Sequence, residues 1–259
     1  MIRIPTGPLV TAPRLCGLTV RHGFVDLFLD PARAGSFWRR VASAIDSFPR
    51  SRLKLEVPDV PLVTLFPDAE TTPVTLVDYV DMPGIMPFHE LLTLCQIVRL
   101  RQPKVIFEIG TFLGGTTLQL AANSHAEVYT LDLPPPRHED YVKPPIWDPE
   151  LDVYPDQPGV RFQGIANAGR ISQLFGNSLT YDFTEYSGLV DLVFVDGCHH
   201  YEFVLRDSQN ALKMMSPDGI VIWQDYSSYA PGVVQALNEL SNVVSLVHIA
   251  KTSLVIHRR

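Results

Sequence analysis

From residue 84 onward, short apolar runs alternate with segments of helical spacing, and this alternation is the strongest constraint on the fold. The apolar runs are residues 104–110, 126–132, 189–197 and 218–225. The segments between them place apolar residues three and four positions apart. This alternation is typical of β-α-β units with parallel, buried strands. We therefore predict an α/β fold: a doubly wound, Rossmann-like, mostly parallel sheet. The last two apolar runs, 244–249 and 252–258, predict a C-terminal antiparallel hairpin.

The first 83 residues have a different composition and pattern, with many prolines and only short apolar runs. Spacing predicts a helix over 36–48, and the run at 60–66 predicts a strand. We interpret residues 1–83 as an N-terminal cap or an oligomerisation segment. In the second case the protein would be a homo-oligomer. We interpret residues 84–259 as the functional domain. The proline-rich stretch at 133–159 is long for a loop inside a compact domain, which is typical of a lid or binding loop.

Composition excludes several classes of protein. The 259 residues include 46% hydrophobic and 19% charged residues, which favours a buried core over disorder. A formal net charge of −7 argues against nucleic acid or an anionic membrane as the main partner. Three dispersed cysteines, with no signal peptide and no apolar run near the roughly 18 residues of a membrane span, predict a cytoplasmic protein.

The sequence EIGTFLGGTT at 108–117 places two glycine sites between a strand and a helix. Gly110 allows a tight turn, and Gly114 allows a ligand or a second segment to approach the backbone closely. The free N–H groups at the start of the following helix suit a carboxylate or a phosphate. The spacing differs from the dinucleotide fingerprint, and no P-loop lysine follows. Asp132 ends the next strand, where a carboxylate accepts hydrogen bonds from ribose. Together, the glycine turn and Asp132 predict a ligand that has a nucleoside and an anionic end.

Five blocks occur in a fixed order: FEIGTFLGGTT, VYTLDLP, LFGNS, VDLVFVDGCHHYEFVLRD and PDGIVIWQDY. Together they resemble class I S-adenosylmethionine-dependent methyltransferases, in particular the small-molecule O-methyltransferases related to macrocin and rhamnosyl methyltransferases. The resemblance covers about residues 84–259. It implies S-adenosylmethionine as cofactor. The cofactor-binding residues that it implies are Glu108, Gly110, Thr111, Gly114, Asp132, Asn177 and Asp196. Members of the family often have Asp where this chain has Asn177.

The block VDGCHHYE carries the candidate catalytic residues. Asp196 ends a strand above the expected cleft, and His199 follows on the turn into the next helix. Histidine accepts a proton near neutral pH, and the related sugar methyltransferases are similar here, which implies His199 as the general base. The alternative is that this histidine only caps or packs the helix over 201–215.

Asp225 ends the next strand, so that Asp196 and Asp225 can position the acceptor or share one Mg²⁺ ion. Relatives bind magnesium through three acids at such strand ends. This chain has Gln224 where a third acid is expected, so that the predicted ligands are Asp196, Asp225 and Gln224. The alternative is that Asp225 hydrogen-bonds the substrate or the loop at 226–230. Tyr226 is a second candidate for orienting the acceptor.

These features predict methyl transfer from S-adenosylmethionine to a hydroxyl group of a small molecule, either a natural product or a sugar. Two alternatives remain at this point. One is a non-catalytic protein that binds a nucleoside ligand on the same fold. The other is a nicotinamide-dependent oxidoreductase, which the glycine spacing disfavours.

Overall fold

The computed structural model describes residues 53–82, 84–135, 138, 155–165 and 168–258. The described residues from Lys54 onward belong to one compact unit. The helix predicted over 36–48 and most of the predicted lid lie outside the described residues.

Eight strands and five α-helices are described. The strands are β1 (Asp59–Val60), β2 (Val105–Ile109), β3 (Glu127–Asp132), β4 (Ile171–Phe175), β5 (Val190–Val195), β6 (Met215–Trp223), β7 (Val247–Ile249) and β8 (Val255–Arg258). The helices are α1 (Leu62–Leu65), α2 (Phe88–Arg101), α3 (Gly115–Ala122), α4 (Tyr201–Met214) and α5 (Pro231–Leu240).

All eight strands form one sheet in the order β1-β7-β8-β6-β5-β2-β3-β4. Strands β6, β5, β2, β3 and β4 are mutually parallel, whereas β8 runs antiparallel to both β6 and β7. The prediction of a Rossmann-like, mostly parallel sheet with a C-terminal antiparallel hairpin is confirmed. The chain leaves β2 toward β3 and β4, and then returns to place β5 on the other side of β2. Ligands bind at such a switch point, outside the carboxyl ends of the strands.

The core explains why these runs become central strands. Ile106, Phe107 and Phe194 are completely buried, because helices cover both faces of the sheet. On one face, α2 buries Leu94 and Ile97 in the same apolar cluster as Ile106 and Phe194. A strand with both faces covered must be apolar at nearly every position, which is the pattern that the sequence shows.

The strand predicted over 60–66 is wrong. Only Asp59 and Val60 extend the sheet, pairing in parallel with β7, and residues 62–65 form the short helix α1. Pro61 separates the two elements; it has no N–H for a strand ladder, and its fixed φ suits a helix start. Just before β1, the backbone N–H groups of Glu56 and Val57 donate to the hydroxyl of Tyr226. The role predicted for residues 1–83 as a whole stays a prediction.

Among the described helices, none combines the length and the apolar character that crossing a membrane requires.

Candidate active site

A cavity of about 460 Å³ opens at the carboxyl edge of the sheet. The residues that directly follow β2 to β6 all contribute to its wall: Gly110, Leu133, Gly176, Asp196 and Gln224. Its size lies within the range of small-molecule sites. The cavity therefore occupies the position that the switch point between β2 and β5 predicts.

The loop at 110–114 forms one wall, and its shape depends on Gly110. The backbone of Gly110 has φ +105°, and its N–H donates to Leu131 O at 2.9 Å. A Cβ at this position would overlap the carbonyl oxygen of Asp196. Gly110 is therefore required because the loops after β2 and β5 touch there.

Glu108 lies beneath this wall and does not line the cavity. Its Oε2 accepts hydrogen bonds from the hydroxyls of Thr117 and Thr130, the latter at 2.6 Å. Thr130 also shares a hydrogen bond of 2.7 Å with Thr111, which does line the cavity. Burial raises the pKa of Glu108 to about 8, although the two hydroxyl donors oppose that shift. Glu108 thus holds Thr117 and Thr130 in place beneath the loop, so that any part it has in cofactor binding is indirect.

Asp132 lies at the end of β3 with its carboxylate at the cavity wall. One oxygen accepts from the N–H of Phe112 at 2.6 Å, and the other accepts from the N–H of Leu133 at 2.7 Å. A carboxylate has about four lone-pair sites, so that it can also accept from a ligand hydroxyl. Asn177 lines the cavity in the loop after β4, where its Oδ1 accepts from the N–H of Leu179 at 3.0 Å.

His199 and Asp225 meet on the opposite side of the cavity. Nε2 of His199 lies 2.9 Å from Oδ2 of Asp225. The side chain of His199 is 25% exposed and that of Asp225 is 31% exposed. The backbone of His199 is placed by Gly232 in the first turn of α5, where a Cβ would overlap the carbonyl oxygen of His199. The helix can therefore press directly against the turn that carries the imidazole.

Asp196 faces the side chain of Gln224. In the orientation that satisfies hydrogen bonding, the amide nitrogen of Gln224 lies 2.8 and 2.6 Å from the two carboxylate oxygens of Asp196. Ligand atoms of Asp196, His199 and Asp225 all lie within 4.8 Å of one another. The cluster thus contains both predicted carboxylate ligands, Asp196 and Asp225, together with the imidazole of His199 as a third possible ligand. The amide of Gln224 lies next to Asp196.

The backbone of Asp225 is held in a left-handed conformation, with φ +62°. Its N–H donates to Oγ of Ser253 at 3.2 Å, and the N–H of Tyr226 donates to the carbonyl oxygen of Ser253 at 2.9 Å. Ser253 in turn donates its own N–H and Oγ–H to the buried carboxylate of Glu90, at 2.6 and 2.9 Å. A residue from the first turn of α2 therefore braces the strand end that carries Asp225.

Residues 107–226 match a family model described as a methyltransferase domain. The match covers a little under half of the chain. It begins inside β2 and ends just after Asp225, so that it contains both sides of the cavity. The matched residues are similar to methyltransferase domains.

Solved structures of methyltransferases are similar to this chain. The O-methyltransferase NovP matches with a TM-score of 0.50 and 18% identity, over 66% of this chain and 79% of that one. The O-methyltransferase TomG from Streptomyces achromogenes, in complex with SAM, matches with a TM-score of 0.49 and 17% identity, over 83% and 96%. The SAH-bound methyltransferase PaMTH1 from Podospora anserina matches with a TM-score of 0.49 and 16% identity, over 100% and 99%. The similarity to NovP supports the Rossmann-like fold.

The fold brings most of the predicted site residues to one cavity. Its wall includes Gly110, Thr111, Asp132, Asn177, Asp196, His199, Gln224 and Asp225. Gly114 is not part of the wall: a Cβ there would lie 2.5 and 2.6 Å from ring carbons of Phe162. The missing side chain makes room for a protein aromatic ring.

Tyr226 points away from the cavity. It is fully buried, and its hydroxyl bonds to the backbone of Glu56 and Val57 and to Asn238. The prediction that Tyr226 orients the acceptor is therefore not supported by its position. The neighbouring Tyr229 lines the cavity and is 80% exposed.

Several residues of the wall were not among the predicted site residues. Ile85, Met86 and Pro87 border the cavity just before α2, and Ser178 borders it after β4. The hydroxyl of Ser178 bonds to Asp207, an almost completely buried residue of α4 whose pKa burial raises to about 7. These residues are small, apolar or buried, and only their position in the fold reveals them.

Proposed function

We propose that this protein moves a methyl group from S-adenosylmethionine to a hydroxyl oxygen of a small molecule. The observation that carries the proposal is the charge of the cavity. Its described wall contains three aspartates, Asp132, Asp196 and Asp225, and no lysine or arginine. S-adenosylmethionine has a cationic sulfonium and a net positive charge, so that this wall attracts it. A dinucleotide or ATP brings a polyphosphate that the same wall repels.

The cofactor would lie across the carboxyl ends of β2, β3 and β4. Its amino-acid end lies against the loop at 110–114 and the start of α3, where free N–H groups suit a carboxylate. Its ribose hydroxyls donate to Asp132, and Asn177 contacts the adenine. Glu108 acts beneath this surface by holding Thr130, and through it Thr111, in place.

The acceptor would lie between the sulfonium and His199. The imidazole takes the proton of the acceptor hydroxyl, while the acceptor oxygen forms a bond to the methyl carbon. The carbon–sulfur bond breaks, its electron pair stays on sulfur, and S-adenosylhomocysteine is the neutral-sulfide product. Asp225, 2.9 Å from Nε2, orients the ring and stabilises the imidazolium. Because the cofactor supplies its own leaving group, most of the remaining catalysis is alignment.

The preference for oxygen as acceptor atom is supported by this histidine–aspartate pair and by the O-methyltransferase NovP. A natural product or a sugar, as in the macrocin and rhamnosyl branch, is our proposed class of acceptor.

We also propose that the carboxylates of Asp196 and Asp225 can hold a divalent cation such as Mg²⁺. The donor set fits a cation because its ligand atoms converge within 4.8 Å, although an imidazole is a less usual ligand for Mg²⁺ than oxygen. The amide of Gln224 has two uses here. Its nitrogen donates to Asp196 without an ion, and its oxygen can face Asp196 only with a cation between them. A bound cation would supply positive charge next to the acceptor oxygen.

Two alternatives make different predictions. A nucleoside-binding protein without activity would bind S-adenosylhomocysteine but produce none from any hydroxyl acceptor. A nicotinamide-dependent oxidoreductase would bind NAD instead.

The test starts with calorimetry using S-adenosylmethionine, S-adenosylhomocysteine, NAD and ATP, with and without Mg²⁺. We expect binding of the first two only. Turnover is then measured as S-adenosylhomocysteine formed with a panel of phenols, flavonoids and glycosides. The His199→Ala variant should lose turnover and keep its affinity for S-adenosylhomocysteine, whereas Asp132→Ala should lose that affinity. No heat from either sulfur compound with folded protein would overturn the proposed function.

A further inference from the structure

The loop at 110–114 has an unusual backbone. Three of its five residues have positive φ: Gly110 at +105°, Phe112 at +47° and Gly114 at +82°. Phe112 is not a glycine, so that its left-handed conformation costs free energy and persists only where surrounding contacts hold it. The contacts that hold this loop therefore help to determine the shape of the cavity wall.

A segment far along the chain supplies two of these contacts. The N–H of Gly159 donates to the carbonyl oxygen of Phe112 at 2.8 Å, and the N–H of Arg161 donates to the carbonyl oxygen of Leu113 at 3.0 Å. The carbonyl groups of the loop are thus satisfied by residues 159–161, which pair with it almost as a short strand would.

Phe162 locks this pairing through its ring. The side chain is 6% exposed and lies between Gly114 and Gly159. A Cβ at Gly114 would lie 2.5 and 2.6 Å from its ring carbons, and a Cβ at Gly159 would overlap the far end of the ring. Two glycines on different segments therefore leave the space that one aromatic ring fills.

Arg161 of the same segment forms an ion pair with a residue outside the loop. Its Nη2 lies 2.8 Å from Oδ2 of Asp78. The stretch before Asp78 is tied to α3, because Val77 N–H donates to the side chain of Gln119 at 3.0 Å. Helix α3 begins directly after the loop at 110–114. The segment at 159–161 is therefore linked to this helix through Asp78 and Val77, as well as to the loop itself.

We propose that residues 159–162 are a positioning element for the cofactor, in which Phe162 holds the loop at 110–114 in the shape that binds the amino-acid end of S-adenosylmethionine. This proposal rests on the proposed function. It assigns Phe162 a larger effect on the amino-acid end than on the adenosine end. The proposed adenosine contacts, Asp132 and Asn177, lie on other loops, and of these two Asp132 is tied to the 110–114 loop by one bond from the N–H of Phe112.

The experiment compares two ligands in the full chain. S-adenosylhomocysteine carries the amino-acid end, and 5′-methylthioadenosine lacks it. For Phe162→Leu, we expect the calorimetric Kd of S-adenosylhomocysteine to rise at least about tenfold, while that of 5′-methylthioadenosine changes less than about twofold. Phe183→Leu, at an equally buried phenylalanine away from the loop, is the control and should leave both values unchanged. Phe162→Met is the second variant if Phe162→Leu does not fold.

Equal weakening of both ligands would mean that Phe162 has only a general structural role, and unchanged affinity for both would mean that it has none. Either result overturns the proposal. If the wild-type protein binds neither ligand, the proposed function fails by itself. Hydrogen exchange then decides the positioning role, because Phe162→Leu should speed exchange in the peptide that covers residues 110–115. Unchanged exchange there would overturn the proposal without any ligand.

Discussion

His199 Nε2 lies 2.9 Å from Asp225 Oδ2, which joins the loop after β5 to the loop after β6 across the mouth of the cavity. The two residues are 26 positions apart and meet because their strands are parallel neighbours. This pairing makes Asp225 the orienting partner of the proposed base.

The Asp225→Asn variant tests that role. An amide keeps the size of the side chain but removes the charge that stabilises an imidazolium, so that we expect turnover to fall about 10- to 100-fold. Affinity for S-adenosylhomocysteine should stay within about twofold. Turnover is followed as formation of S-adenosylhomocysteine, and unchanged turnover would contradict the pairing.

The brace behind Asp225 predicts an effect on stability. Ser253→Ala removes the acceptor for the N–H of Asp225 and one donor to the buried carboxylate of Glu90. We expect the free energy of unfolding to fall by about 1–3 kcal/mol, because buried polar groups lose their partners. Urea unfolding measures the change. Ser245→Ala, at an exposed serine, serves as the control, and equal stability of the two variants would be evidence against the brace.

Glu108 predicts a dependence of stability on pH. Burial raises its pKa from 4.5 to about 8, so that between these values the folded state keeps a proton that the unfolded state releases. The free energy of unfolding should therefore fall as pH rises through this window, by at most about 1.4 kcal/mol per pH unit.

The Glu108→Gln variant removes this titration and keeps an acceptor for the two threonine hydroxyls. Its stability relative to the wild type should rise steadily from pH 5 to pH 8, as measured by urea unfolding at each pH. Glu127→Gln, at an exposed position of β3, should show no such trend. A constant difference between Glu108→Gln and the wild type would show that Glu108 is ionised in the folded protein.

Gly110 and Gly169 form a matched pair of glycines. A Cβ at Gly110 would meet the backbone of Asp196, and φ there is +105°, whereas a Cβ at Gly169 would meet no atom within 4 Å. We expect Gly110→Ala to lower the free energy of unfolding by more than about 3 kcal/mol, because backbone atoms on both sides resist movement. Gly169→Ala should stay within about 1 kcal/mol of the wild type. Thermal unfolding of the two variants checks this, and similar melting temperatures would be inconsistent with contact between the two loops.

Much of the fold was readable from local pattern. Helix α4 was predicted over 201–215 and differs from that prediction at one terminal position. The strand predicted over 60–66 failed because an apolar run of that length does not distinguish a strand from a helix, and Pro61 changes the conformation in its middle.

The candidate site was readable where a polar residue ends a strand. Asp132, Asp196 and Asp225 each follow an apolar run, and parallel strands bring their carboxyl ends to one edge. Gly114 was also recognised, but its partner was not, since the ring that it accommodates belongs to Phe162, 48 positions later.

Sequence by itself determined most of the central strands and helices and which acidic residues lie at the strand ends, because hydrophobic periodicity and chain order are local properties. Only the tertiary structure decided the partners: His199 with Asp225, Glu90 with Ser253, and Phe162 between two glycines. Those contacts depend on the order of the strands and on close packing between segments far apart in the chain, and no local pattern encodes either.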